Sequence, residues 1–320
     1  IADGDWSSDV CSSDLDGRLV EAHPEWFRRH PDGELASPGA LDPSVPQGMV
    51  TWNDLAAIDY DRPEHTEAQL AFWADIARRY TACGASGFRC DAAYQVPAEF
   101  WRRLLAEIRR AAPATVFAAE TLGCPPSQSE ALGPAGFDLL FNSAKWWDFR
   151  APWLLDQYER LRHVAPSIAF PESHDTPRLI NELAGRDPAE VERHYAFQYD
   201  WTALFSAGVM MPMGYEYGFS QALDVCDSRP GQWDDQRAAA PFDLSRHIAA
   251  TNRLKARVAV LGTDAPQRRF TSPDASVVGL HRRNGGQDAV VLLNPDPAHP
   301  ALIDPAEVTR ATGIGEWRDA

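Results

Sequence analysis

Apolar positions in the middle of the chain follow two patterns, a helical period and short continuous runs. The helical period passes, for example, through Leu70, Trp73, Ile76 and Tyr80. Together the patterns predict helices over residues 66–80, 97–112, 153–163, 188–206 and 244–257, the first beginning at a Thr66–Gln69 capping box. They predict short strands over residues 87–91, 115–120, 137–142, 167–170 and 208–213. Strands that alternate with amphipathic helices indicate βα units and a parallel sheet.

Three acidic residues each fall at the carboxyl end of a predicted strand. Asp91 and Glu120 are 29 residues apart, about one strand–helix–strand repeat, and Glu120 and Asp175 are 55 apart, about two. In a (β/α)8 barrel the carboxyl ends of all strands converge on one face, where catalysis takes place. A single acid there could be a helix cap or part of an ion pair. Three acids in register with the repeat favour a shared site.

The pattern changes after Leu261, where polar and apolar residues alternate over 268–271, 276–282 and 289–293. Asn284-Gly285-Gly286 is typical of a hairpin turn. We therefore expect an α/β fold, part of a TIM barrel over residues 66–260, followed by a small antiparallel β domain over 261–320. Residues 16–65 are rich in Pro and Gly, and we expect a long loop region there.

The first 15 residues differ from the rest in composition. Asp5–Leu15 reads DWSSDVCSSDL, with four Ser and three Asp, and it has neither a helical nor a strand period. It resembles the in-frame translation of a common sequencing-adapter oligonucleotide. We therefore expect residues 1–15 to be non-native, and the protein's own sequence to start near Asp16, inside a gene.

Composition excludes several classes of protein. A net charge of −16 over 320 residues argues against a nucleic-acid partner, because phosphate contacts need clustered Lys and Arg. No run of 18 apolar residues occurs, so we expect no membrane span, and no signal peptide is visible, which slightly favours the cytoplasm. The five cysteines fit neither a disulfide framework nor a CxxC metal site. Eleven tryptophans suit either stacking on sugar rings or ordinary core packing.

Three segments at the predicted strand ends carry a family resemblance. Gly87–Asp91 reads GFRCD, Phe117–Glu120 reads FAAE and Phe170–Asp175 reads FPESHD. In order and spacing they resemble three of the four signature regions of the α-amylase superfamily, glycoside hydrolase family 13. The resemblance covers about residues 16–295 and implies a retaining enzyme that acts on an α-glucan or malto-oligosaccharide through a glycosyl-enzyme intermediate.

The resemblance implies roles for five residues of these segments. Asp91 would be the nucleophile, Glu120 the general acid/base, and Asp175 the transition-state stabiliser, with His174 and Arg89 contacting substrate. The chemistry requires one ionised and one protonated carboxyl group. Arg89, two residues before Asp91 on a strand, would point to the same face and favour the ionised nucleophile. Glu120 follows an apolar strand, where desolvation would keep it protonated.

Further polar and aromatic residues near the strand ends have weaker assignments. We expect Glu172 and Glu216 to be structural hydrogen-bonding groups. The aromatic residues could be sugar platforms or equally well core residues, namely Tyr94, Trp146, Trp147 and Tyr215.

The chain also departs from the family pattern. The first signature region, at the end of barrel strand three, is absent, so we expect truncation, with only about strands 4–8 present and this chain inactive alone. Many α-amylases carry Lys-His shortly after the nucleophile, whereas this chain carries Tyr94-Gln95, at positions implied to bind the acceptor side. The family often binds calcium after strand three, but the chain lacks a D-x-D-x-D loop, so we expect no metal and no cofactor.

Hydrolysis is the main functional expectation, with two alternatives. Residues Pro97, Phe100 and Trp101, with His23–Phe27, resemble the bacterial maltosyltransferases that use maltose 1-phosphate, so transfer from that donor or from a glucan is the first. The second is an inactive fragment or glucan-binding relic. Sequence separates hydrolysis from transfer poorly, because both use the same covalent intermediate.

Overall fold

The computed structural model describes residues 17–42, 48–222, 228–296, 298–316 and residue 318. The adapter-like segment therefore lies outside the described residues. The chain divides into two compact units, Ile1–Phe141 and Asn142–Ala320.

The first unit contains an antiparallel hairpin and three parallel strands. The hairpin pairs β1 (Gly39–Leu41) with β2 (Met49–Thr51) within the predicted loop region. Strand β3 (Gly87–Cys90) pairs with β4 (Val116–Ala119), which pairs with β5 (Leu139–Phe141). The helices are Arg18–Ala22, Pro63–Ala82, Ala98–Ala111 and Pro126–Ala131.

Two of these helices test the sequence pattern. Helix Ala98–Ala111 buries Phe100, Leu104, Leu105 and Ile108, the apolar face predicted for it. Helix Pro63–Ala82 begins three residues before Thr66, so the predicted capping box is wrong. Pro63 starts the helix because its fixed φ and missing N–H suit the first helical position.

The second unit contains two parallel strands, one antiparallel sheet and most of the helices. Strand β6 (Ser167–Ala169) pairs in parallel with β7 (Gly208–Val209). The antiparallel sheet has the order β10 (Gln287–Leu293), β9 (Val278–Asn284), β8 (Gln267–Arg269). The helices are Trp153–Leu161, Leu179–Glu182, Pro188–Phe205, Pro230–Ala238, Ser245–Arg257 and Pro305–Thr312.

The antiparallel sheet packs directly on helices of the second unit. Tyr158, Trp201 and Phe205 from those helices form one buried cluster with Leu280 and Leu293 from the sheet. Tyr158 also donates a hydrogen bond from its hydroxyl to the Ala265 carbonyl at 2.8 Å. The helices and the sheet therefore share a hydrophobic core within this unit.

Among the described residues, no helix is both long and apolar enough to cross a membrane.

Candidate active site

The two central carboxylates occupy equivalent positions on neighbouring strands of the first unit. Cys90 of β3 is paired in register with Ala119 of β4, and Asp91 and Glu120 each follow by one residue. The Glu120 amide continues the pairing by donating to the Cys90 carbonyl at 2.8 Å. Neighbouring strands lie about 4.8 Å apart, so this register places the two acids side by side at the carboxyl ends of the strands.

Asp91 is held in an ion pair. Arg89 Nη1 lies 2.9 Å from Asp91 Oδ1, and half of the Asp91 side chain remains exposed. The two residues are two positions apart on the strand, so they share a face, as predicted. The positive charge of Arg89 therefore lies directly beside the carboxylate predicted to be the nucleophile.

Glu120 has the opposite environment. It is 6% exposed, and burial raises its pKa from 4.5 to about 7. The charge of Asp91 raises the pKa further, whereas Arg89 and two backbone N–H groups oppose that rise. Those donors are the amide of Leu122, to Oε1, and the amide of Ala92, 3.0 Å from Oε2. Near neutral pH, Glu120 is therefore poised between its protonated and ionised forms.

Tyr94 and Gln95 follow the nucleophile in a short 3-10 helix, Ala93–Gln95. Burial, followed by the charge of Glu120, raises the pKa of the Tyr94 hydroxyl above its ordinary value. Gln95 Nε2 donates to the Gly39 carbonyl at 2.6 Å, so its amide holds the β1–β2 hairpin. Whether either residue contacts substrate stays a prediction.

His174 and Asp175 lie in the second unit, in the turn that follows β6. His174 Nε2 is 3.2 Å from Asp175 Oδ2, and about one third and two thirds of the two side chains are exposed. The Thr176 hydroxyl accepts from the Ser173 amide at 3.0 Å and closes this turn. Both predicted sugar-binding groups are thus adjacent and accessible, and their roles stay predictions.

Glu172 behaves as the structural group predicted for it. Its side chain is fully buried and its Oε1 lies 2.9 Å from Nη1 of Arg178, which is also buried. Its Oε2 accepts from the Leu179 amide at 2.5 Å. Burial raises the pKa of Glu172, and the positive charge of Arg178 opposes that effect. The sequence does not predict Arg178 as the partner of Glu172, because an arginine after a turn is usually exposed to solvent.

The aromatic candidates divide by exposure. Trp147 and Tyr215 are 4% and 0% exposed and belong to buried clusters of the second unit, whereas Trp146 is 50% exposed. Only Trp146 of these three therefore has a free ring face of any size.

The backbone donors to Glu120 were not predicted either. Every residue but proline has an amide N–H, so the sequence alone does not show that the Ala92 and Leu122 amides donate to that carboxyl group.

No group of three or more His, Cys, Asp or Glu residues in the described part of the chain is placed to hold a metal ion.

Comparison with known proteins supports the sequence resemblance, although no protein-family model matches the chain. An α-1,4-glucan:maltose-1-phosphate maltosyltransferase from Burkholderia pseudomallei is 32% identical over 297 residues, which cover 90% of this chain and 25% of that protein. A protein of the same name from Salinibacter ruber is 26% identical over 299 residues, which cover 88% of this chain and 42% of that protein. The chain thus spans between a quarter and about two fifths of the length of these relatives.

A solved structure shows the same fold. An α-amylase from Lactobacillus plantarum matches with a TM-score of 0.63 at 19% identity, over 89% of this chain and 66% of that one. This likeness confirms the predicted α/β fold, part of a TIM barrel followed by a small β domain. Three signature segments at strand ends, relatives that align over nine tenths of the sequence and a shared fold converge on one conclusion. The comparisons confirm the resemblance of the chain to the α-amylase superfamily, glycoside hydrolase family 13.

Proposed function

We propose that the protein transfers maltosyl units to an α-1,4-glucan through a covalent intermediate on Asp91, with Glu120 as general acid/base. The relatives that align over most of the chain are named maltosyltransferases, which supports transfer better than the hydrolysis expected first. Maltose 1-phosphate, which those names include, is the proposed donor.

The observation that carries the proposal is the contrast between the two neighbouring carboxyl groups. Asp91 is half exposed and paired with Arg89, whereas Glu120 is buried and its pKa is raised to about 7. A retaining mechanism at an anomeric carbon needs one ionised nucleophile and one proton donor on adjacent positions. Burial keeps Glu120 available as the proton donor, and Arg89 lies beside the group proposed as the nucleophile.

The reaction follows from these states. An Asp91 oxygen attacks the anomeric carbon while the bond from that carbon to the leaving oxygen breaks, and Glu120 gives its proton to that oxygen. Glu120 is then a carboxylate, which the two amide N–H groups stabilise. It takes the proton of an acceptor hydroxyl, which attacks the anomeric carbon and releases Asp91.

The identity of the acceptor separates transfer from hydrolysis, which we place second. The sequence Glu172–Asp175 resembles the hydrolase form of the last signature region, and this observation favours water as acceptor. In the maltosyltransferase reaction the acceptor is instead a glucan hydroxyl. Asp175 and His174 are proposed to bind the sugar at the cleaved linkage in both cases.

Product analysis distinguishes these outcomes. Because the chain spans only part of its relatives' length, the assay uses the protein expressed from the complete reading frame that contains this sequence. The substrates are maltose 1-phosphate and maltohexaose. We expect glucans longer by two glucose units and an equal amount of released phosphate, and neither with Asp91→Asn. Release of free maltose without elongation would instead identify a hydrolase. Elongation of maltohexaose without the phosphorylated donor would identify a glucan donor.

A further inference from the structure

Ala92, the residue after the proposed nucleophile, has a backbone conformation that alanine rarely adopts. Its φ is 39° and its ψ is 44°, which is the left-handed helical region. Ala92 and Phe149 are the two non-glycine residues with positive φ in the described part of the chain. In this region Cβ crowds the following carbonyl oxygen, so a residue stays there only where its surroundings require it.

Two successive backbone amides, those of Ala92 and Ala93, donate to Glu120. The Ala92 amide donates to Glu120 Oε2 at 3.0 Å. The next amide, of Ala93, donates to the Glu120 carbonyl at 2.9 Å, and the Glu120 amide donates to the Cys90 carbonyl at 2.8 Å. The segment that carries the nucleophile therefore holds both the main chain and the carboxyl group of the acid/base.

The left-handed conformation explains how two successive amides reach one residue. In an extended strand, successive N–H groups point to opposite sides. In a helical conformation of either hand they point to the same side. A left-handed residue followed by the turn Ala93–Gln95 gives the kind of concave backbone that binds anions through its N–H groups.

We propose that Ala92 is a positioning residue for Glu120, and that its left-handed backbone fixes the direction from which the carboxyl group exchanges its proton with substrate. This inference rests on the proposed role of Glu120. The Ala92 side chain contributes no polar group, so its position acts through the amide alone.

A loss of this contact has a predictable electrostatic effect. The Ala92 N–H favours the ionised form of Glu120 and so holds its pKa below the value that burial alone would give. The other titratable groups around Glu120 among the described residues of this unit are Asp91, Arg89, Tyr94 and Cys124. These four groups all keep their identity when residue 92 is substituted, and the amide contact is the interaction with Glu120 that the substitution alters directly.

The test compares substitutions by backbone preference at similar size. Glycine and asparagine tolerate the left-handed region, whereas valine, which is close to asparagine in volume, does not. In the protein expressed from the complete reading frame, we expect Ala92→Gly and Ala92→Asn to keep kcat/KM within about threefold of the parent. The alkaline limb of their pH–rate profiles should be unchanged. We expect Ala92→Val to lower kcat by about 10- to 100-fold, because the acid/base is misplaced, and to move the alkaline limb to higher pH.

A second replacement keeps the inference testable if Ala92→Val does not fold. Exchange of Ala92 for its α-hydroxy acid analogue replaces only the N–H with an ester oxygen. We expect the same shift of the alkaline limb to higher pH and the same loss of kcat. Equal losses for Ala92→Asn and Ala92→Val, or an ester variant with parental kinetics, would overturn the inference while leaving the proposed function in place. If Glu120→Gln kept full activity, both would fall.

Discussion

Asp91 and Glu120 are similar in chemistry, and the difference between their surroundings supports the different roles proposed for them. Arg89 lies 2.9 Å from Asp91, whereas Glu120 is buried beneath the strand ends with two amide donors on its carboxyl group. The sequence predicts this contrast in part, because Arg89 lies two residues before Asp91 and the strand before Glu120 is apolar. It does not predict the amide donors or the strained Ala92, since backbone geometry depends on how the strand ends meet.

The raised pKa of Glu120 makes the stability of the protein depend on pH. The folded-state pKa is about 7 and the ordinary value 4.5, so between these pH values the folded state binds more protons than the unfolded state. The free energy of unfolding must therefore fall as pH rises through this window. The penalty for ionising a buried carboxyl group is absent below the window and fully present above it.

Glu120→Gln should remove this penalty. We expect the stability of the variant relative to the parent to increase by about 3 kcal/mol between pH 4.5 and pH 8, measured by chemical denaturation at both pH values. Any hydrogen bond lost to the glutamine amide affects both pH values equally and cancels in this difference. Asp156→Asn, on an exposed helix position, is the control. A difference of the same size in that control, or none in Glu120→Gln, would contradict the assigned pKa.

At the scale of elements, the β1–β2 hairpin is tied to the loops that follow β3 and β4. Gln95 Nε2 donates to the Gly39 carbonyl, and the Leu41 amide donates to the Gly123 carbonyl at 2.7 Å. The hairpin could not be predicted from the sequence, because three-residue strands rich in Gly and Pro neighbours show no clear period. Its position depends instead on contacts between residues more than 50 positions apart.

Gly123 is the point of closest approach in this contact. It has a φ of +73°, and a Cβ there would lie 3.0 Å from Ala40 Cβ and 3.1 Å from the Leu41 carbonyl oxygen. Gly123→Ala should therefore both strain the backbone and displace the hairpin. We expect a loss of about 1–2 kcal/mol in stability and faster hydrogen exchange at the Leu41 amide.

Gly84→Ala is the matched control for this substitution. Gly84 also has a positive φ, of +103°, but open space surrounds its Cβ position. Gly84→Ala should therefore lower the free energy of unfolding without changing hydrogen exchange at the Leu41 amide. If both variants left that amide equally protected, the hairpin would not depend on the Gly123 contact.

At the scale of the whole molecule, the second unit joins strands predicted for a barrel to strands predicted for a separate β domain. Arg282 of β9 is 1% exposed and donates to the Leu204 carbonyl at 3.1 Å, as well as to the Phe205 carbonyl. Asp264 accepts from the Ser167 amide at 2.6 Å and from the Ala207 amide at 2.7 Å, beside β6 and β7. The change of pattern after Leu261 thus coincides with a seam between the two sets of strands, formed by the hydrogen bonds of Arg282 and Asp264.

Arg282 should contribute far more to stability than its neighbour on the strand. Arg282→Met leaves the carbonyls of Leu204 and Phe205 without a donor inside the protein, and we expect a loss of about 3–5 kcal/mol. Arg283 has 61% of its side chain exposed, so Arg283→Met should cost less than about 1 kcal/mol. Denaturant unfolding of both variants measures this difference, and equal losses would show that the seam is not stabilised by Arg282.

The sequence predicts the alternation of strands and helices and the acidic residues at the strand ends, because both follow from local periodicity and a 29-residue repeat. It does not predict the roles of Arg178 and Arg282. Arg178 is buried beside the Glu172 carboxylate and donates to the Phe219 carbonyl, and Arg282 is buried where several carbonyls accept its hydrogen bonds. Charged residues of this kind read as solvent-exposed until the packed structure supplies their partners.

The central claim, that Asp91 forms the covalent intermediate, is tested most directly by trapping that intermediate. The protein expressed from the complete reading frame is incubated with a fluorinated maltosyl donor that forms the intermediate quickly and releases it slowly. The protein is then digested and its peptides are examined by mass spectrometry. We expect one added maltosyl group on the peptide that contains Asp91, and none in Asp91→Asn. A label on another carboxylate, or turnover by Asp91→Asn at the parental rate, would contradict it.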